Sequence, residues 1–104
     1  MKRVVVESPY AGDVEANKQY AKECMLDCLR RGEAPLASHL LYTQILDDSD
    51  PEQRELGIQA GFTWNRMAEL VCFYVDKGVS HGMDKGMTFV KEKGIPYDIR
   101  KLYG

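Results

Sequence analysis

Ser8-Pro9-Tyr10-Ala11-Gly12-Asp13 stands between an apolar run, Val4-Val5-Val6, and the clearest helical pattern of the chain. A strand that ends in a small polar turn and feeds directly into a helix is the unit from which open α/β sheets build a ligand crevice. The turn sits at the carboxyl end of the strand, and the helix offers unpaired N–H groups with a partial positive charge. Pro9 removes one donor and biases Ser8 toward an extended backbone. Gly12 allows a positive φ, and Asp13 can cap the helix. Ordinary capping explains such a turn equally well, so its reading depends on the rest of the chain.

Working outward, Lys2 to Glu7 reads as a buried strand bounded by turn signals. From Val14 to Arg31 the apolar positions recur at helical spacing, with Asp13 as the start and Gly32 as the stop. Ala34 to His39 fits a short second strand, and Leu40 to Leu46 one or two helical turns. Asp50 and Pro51 form an N-cap and first-turn pair, and that helix is predicted to run to about Glu69 with a weak point at Gly57 and Gly61. Phe62 and Trp64 cannot both face the sheet, so one of them is expected to meet another subunit. Leu70 to Val75 is the most strand-like run. A second polar turn, Asp76 to Met83, follows it, then a helix from Met83 to Lys93 that stops at Gly94. Ile95 to Leu102 supplies a last strand, with Pro96 at its start.

Strands alternating with helices predict an α/β fold with a parallel sheet of four or five strands and helices on both faces. If the first and third strands are neighbours, the two polar turns share one edge of the sheet at the point where strand order reverses. The stretches near residue 10 and near residue 80 are then expected to form opposite walls of one cleft.

At 104 residues the chain is predicted to form a single domain, residues 1–104, small enough to favour self-association. Fourteen basic and sixteen acidic residues leave a net charge of −2 without a basic block, which argues against a nucleic-acid polymer as partner. No run is apolar enough for a membrane span. Three cysteines, Cys24, Cys28 and Cys72, read as reduced core thiols of a cytoplasmic protein. Their spacing with His39 and His81 matches no zinc signature, and neither metal nor cofactor is expected.

The turn at 8–13, Asn17, Ala34-Pro35 with His39, Leu46-Asp47-Asp48, Pro51-Glu52-x-Arg54-x-x-Gly57 and Ser80-x-Gly82-Met83 form an ordered series along nearly the whole chain. That series resembles the nucleoside 2-deoxyribosyltransferase-like domains, in particular small versions found in phages and bacteria. The wider grouping includes nucleotide-sensing domains of bacterial conflict systems. The resemblance implies a small Rossmann-like three-layer fold, a nucleoside or nucleotide ligand, and homo-oligomers whose neighbours help complete each pocket.

In enzymes of that family a Glu just after the Gly-Met pair attacks the anomeric carbon of the sugar, a task suited to a carboxylate that can form a glycosyl intermediate. Here Asp84, Lys85 and Gly86 follow Gly82-Met83. One alignment places Asp84, shorter by one methylene, at the nucleophile position. The other places Gly86 there and leaves no nucleophile. A displacement of about an ångström can cost on the order of a hundredfold in rate.

The candidate ligand-binding residues follow from both turns and the segment between them. Ser8, Pro9, Tyr10, Gly12 and Asp13 belong to the first turn, where Tyr10 can stack on a base. Asp76 ends the strongest strand, and Ser80, Gly82 and Met83 can present backbone N–H groups to a phosphate or ribose. His39 can face the crevice, Asp48 can accept from ribose hydroxyls, and Arg54 can meet a phosphate or pair with Asp50 along its helix. Asp84 is the candidate catalytic residue, although an Asp in a first helical turn is expected for dipole reasons alone. The favoured expectation is a protein that binds a nucleotide-derived molecule, an ADP-ribose-type signal held without turnover as in a phage anti-defence sponge. The alternative is a deoxyribosyltransferase or N-glycoside hydrolase using Asp84.

Overall fold

The computed structural model describes residues 1–103. Chain order is β1 (Lys2–Glu7), α1 (Val14–Arg30), β2 (Glu33–Leu36), two single 3-10 turns (Ser38–Leu40 and Tyr42–Gln44), α2 (Pro51–Met67), β3 (Leu70–Tyr74), α3 (His81–Lys93) and β4 (Tyr97–Arg100). The four strands form one sheet in the order β2-β1-β3-β4, and every pairing is parallel. This is the small Rossmann-like three-layer α/β fold, with four strands.

Alternation along the strands sorts the core onto two faces. Val4, Val6, Cys72 and Tyr74 pack against Tyr20, Cys24 and Cys28 of α1. Val5, Val71 and Phe73 point the other way, onto Met83 and Val90 of α3. On that second side α2 lies against α3, where the rings of Phe62 and Phe89 stack with centroids 4.4 Å apart. All three cysteines are free and buried, as core thiols should be.

The helix signals operate as local chemistry dictates. Asp13 accepts from the Ala16 N–H at 3.1 Å, Asp50 from the Glu52 N–H at 3.2 Å ahead of Pro51, and Ser80 from the Met83 N–H at 3.2 Å. Gly94 closes α3 in the left-handed region at φ 67°. Because Ser80 is the cap, α3 starts at His81, two residues before the position predicted for it. Helix α2 ends at Met67, short of Glu69. The second strand ends at Leu36, so His39 belongs to a 3-10 turn closed by the Leu40 N–H on the Ala37 carbonyl at 3.1 Å. The last strand is likewise shorter than 95–102, since Pro96 has no donor and contributes only its carbonyl, to the Val71 N–H at 3.0 Å.

Gly57 and Gly61 do not interrupt α2. A β-carbon on Gly57 would stand 3.3 Å from Leu46 Cδ1, and one on Gly61 would stand 3.6 Å from Ser38 Oγ. Gly57 thus faces Leu46 and Gly61 faces Ser38, so this side of α2 packs on the 38–46 segment, and that packing shapes the site. Among the described residues, no helix is long and apolar enough to cross a membrane.

Candidate functional site

With β1 and β3 adjacent and parallel, the turns that follow them leave the same edge of the sheet where strand order reverses. Asn17 ties those turns together. Its Nδ2 donates to the carbonyls of Tyr10 and Ala11, both at 3.0 Å, and its Oδ1 accepts from Lys77 Nζ at 3.3 Å. Asn17 thus bridges the two turns near α1, and the cavity is lined by Gly82 but by none of residues 8–13. The cavity opens on the other side, toward α2.

Its floor is Glu7 at the end of β1, with Gly82 of α3 beside it. Ser38, His39, Tyr42 and Thr43 of the 3-10 turns form one wall, and Gln53, Arg54, Gly57, Ile58, Gly61 and Phe62 of α2 form the other. Leu46 and Asp48 close the end between them. The cavity volume is about 70 Å³. That is below the several hundred cubic ångströms of a site that engulfs a whole ligand, so a larger molecule would extend into the open mouth.

Glu7 carries the main electrostatic anomaly. Burial disfavours the ionised form and pushes its carboxyl up to about 7, against the opposing effect of the Asn65 amide beside it. Asn65 is fully buried, and neither its Nδ2 nor its Oδ1 has a hydrogen-bond partner among the described residues. His39 moves down from the ordinary histidine value because burial outweighs the pull of Asp48 and of the Ser8 backbone. Tyr10 stacks on the His39 ring with centroids 5.3 Å apart. At the mouth, Arg54 Nε donates to the Asp48 carbonyl at 3.1 Å and lies 3.9 Å from the Asp48 carboxylate. Its ion-pair partner is thus Asp48, where pairing with Asp50 along the helix was the alternative.

Of the residues predicted from sequence, His39, Asp48, Arg54 and Gly82 line the cavity. The others do not line it. Ser8 and Pro9 are buried, and Ser8 Oγ has no partner among the described residues. Tyr10 stands behind His39. Gly12 is exposed at φ 100°, and Asp13 spends its carboxylate on the cap of α1. Ser80 caps α3, and the Met83 side chain is part of the core. Asp84 is exposed and does not line the cavity.

Asp76 proves structural. It accepts from the Tyr20 hydroxyl at 2.6 Å and from the N–H groups of Leu102 and Tyr103, each at 2.9 Å. Burial works to raise its carboxyl, but these donors outweigh it and hold the group below the usual range. The side chain anchors the end of the chain.

Sequence reasoning missed Glu7, Tyr42, Gln53 and Phe62. For Glu7 a signal existed: a carboxylate ending an otherwise apolar strand at a sheet edge that the topology assigns to ligands. The others come from segments whose facing depends on how α2 docks.

A second polar cluster lies within the core. Ligand atoms of Cys28, Glu33 and Cys72 fall within 4.8 Å of one another, as a metal site would require. The cation among them is already a guanidinium: Arg100 Nη1 and Nη2 each donate to a Glu33 oxygen at 2.8 Å. Cys72, Tyr74 and Arg100 beside it hold the Cys28 thiol below the ordinary thiol value.

A family model described as a domain of unknown function (DUF7768) matches residues 2–100. No curated protein matches the chain.

Proposed function

The chain belongs to the DUF7768 family, whose model spans every residue of the cavity, and from that premise we propose that it binds a nucleoside- or nucleotide-derived small molecule at the reversal point of its sheet. The observation that carries the reading is the convergence of Glu7, His39, Asp48 and Arg54 on one small cavity at that edge. Glu7 and Asp48 are acceptors for sugar hydroxyls. Arg54 has only its Nε engaged among the described residues and can meet a phosphate in the mouth. The cavity volume of about 70 Å³ suits a sugar-sized portion of the ligand better than a whole nucleotide. An ADP-ribose-type molecule, with phosphates and a further sugar reaching outside, fits this division. Sequestration of such a signal, as in an anti-defence sponge, is the biological role we attach to it.

Completion of the pocket by a second copy belongs to the same proposal. Leu56, Trp64 and Met67 form an exposed stripe on α2, at 61%, 47% and 63% exposure. Phe62 is taken up by Phe89 within the chain, so Trp64 is the residue left to meet a neighbour. Asp84, outside the cavity, lends no support to turnover through that side chain.

Isothermal titration of the full chain with adenosine, ADP and ADP-ribose tests the reading, with chromatography of the ligand recovered after denaturation. Saturable binding and unchanged ligand are expected. Absence of heat with all three would overturn the proposal, and release of free base would replace binding with hydrolysis.

A further inference from the structure

Glu7 stands where the fold has made space for it. Its Oε2 lies 2.9 Å from the point that a β-carbon on residue 86 would occupy, and the Phe73 ring lies 3.3 Å from the same point. Gly86 is well inside α3, where glycine is a destabilising choice relative to alanine. A side chain there would collide with the carboxyl. The glycine therefore leaves room for the carboxyl beside α3.

No lysine, arginine or histidine among the described residues pairs with Glu7. The buried Asn65 amide beside it is the polar neighbour that eases its ionisation, and neither amide atom meets a partner in good hydrogen-bond geometry among the described residues. Buried carboxyls are ordinarily paired, because desolvation of an unpaired charge is expensive. A carboxyl without a cationic partner, facing a cavity and given room by a glycine, has capacity for a further donor.

We infer that Glu7 is a ligand-contacting residue whose carboxylate accepts hydrogen bonds from the sugar hydroxyls of the bound nucleoside-type molecule. This deepens the function proposed above, rests on it, and assigns the sugar to the cavity floor. Two carboxylate oxygens suit a pair of neighbouring hydroxyls. A phosphate at the same spot would set two anions against each other, so the anionic part of the ligand belongs at Arg54.

The inference has a proton signature. The groups facing Glu7 across the cavity are His39 and Tyr42 from the 3-10 turns, Asp48 from the loop before α2, and Arg54 from α2; α3 presents only Gly82 and Gly86. Hydroxyl donors favour the ionised carboxylate, so a sugar that binds below about pH 7 expels a proton from Glu7.

Titration of adenosine and ADP-ribose at pH 6.5 in buffers of different ionisation enthalpy measures that proton directly. Net proton release is expected for the wild-type chain. Glu7→Gln should abolish the release and weaken binding roughly tenfold or more. Wild-type binding without proton release, or with affinity unchanged in Glu7→Gln, overturns the assignment of Glu7 and leaves the nucleoside reading standing. Failure of the wild-type chain to bind either probe removes both.

Discussion

Arg100 and Glu33 join the two edge strands of the sheet across its α1 face. Both guanidinium Nη atoms meet the two carboxylate oxygens at 2.8 Å, over a sequence separation of 67 residues. The side chains are only 6% and 13% exposed, which puts this pair among buried ion pairs, where partners matter more than at a surface.

Removal of one partner should therefore be costly. Glu33→Ala leaves the guanidinium buried with Asp98 as its remaining carboxylate, at 3.0 Å and half-exposed. A loss of about 3 kcal/mol is expected, the lower end for breaking a buried pair. Replacing both residues with apolar ones, Glu33→Leu with Arg100→Met, should cost much less than the single change. Urea unfolding of the three proteins measures the difference, and equal losses for single and double variants would contradict this account.

Glu7 makes stability fall with rising pH. A carboxyl whose folded-state value lies above its unfolded one binds its proton more tightly when folded. Its contribution is complete below the ordinary 4.5 and is lost as pH rises through about 7. At about 1.4 kcal/mol per unit, the whole effect is on the order of 3 kcal/mol. Glu7→Gln should therefore gain stability relative to wild type between pH 4.5 and pH 8. Chemical denaturation across that range reads it, and parallel curves would show that Glu7 is not desolvated.

The contact between Glu7 and residue 86 predicts a coupled pair. Gly86→Ala gains helix propensity of about 1 kcal/mol, yet forces a β-carbon to within 2.9 Å of the carboxyl. Overpacking of this kind costs about 1–3 kcal/mol. The single substitution should thus gain less than that propensity, and the same change in a Glu7→Ala background should gain more. A double-mutant cycle with no interaction energy would place the carboxyl elsewhere.

Asp76 and Arg54 should separate folding from binding. Asp76→Ala strips the acceptor from Tyr20, Leu102 and Tyr103 and should lower stability by about 2 kcal/mol or more while leaving affinity for adenosine nearly unchanged. Arg54 is exposed and holds a loose pair, so Arg54→Ala should leave the melting temperature within a few degrees. It should weaken ADP-ribose more than adenosine. The reverse pattern would move the site to the 76–83 turn.

The stripe on α2 predicts self-association. Trp64→Glu with Met67→Glu should lower the solution mass, measured by light scattering, without changing the circular dichroism spectrum. A wild-type chain that already runs as a monomer at high concentration would remove Trp64 from any interface.

The amino-acid sequence by itself determined the alternation of strands and helices, their caps and the parallel sheet. Asp13, the Asp50-Pro51 pair, Ser80 and Gly94 act on backbone groups within a few residues, and β-branched runs such as Val4-Val5-Val6 need no distant partner to read as strand. It also pointed to His39, Asp48, Arg54 and Gly82. Only tertiary structure decided that these four line one cavity with Glu7, because the cavity forms where α2 docks against the 38–46 segment. Only tertiary structure, likewise, spent Asp76 on the chain end, 26 residues away in sequence at Leu102, and Arg100 on Glu33. A carboxylate's role is set by which donors the folded chain brings to it, and those donors lie far along the chain.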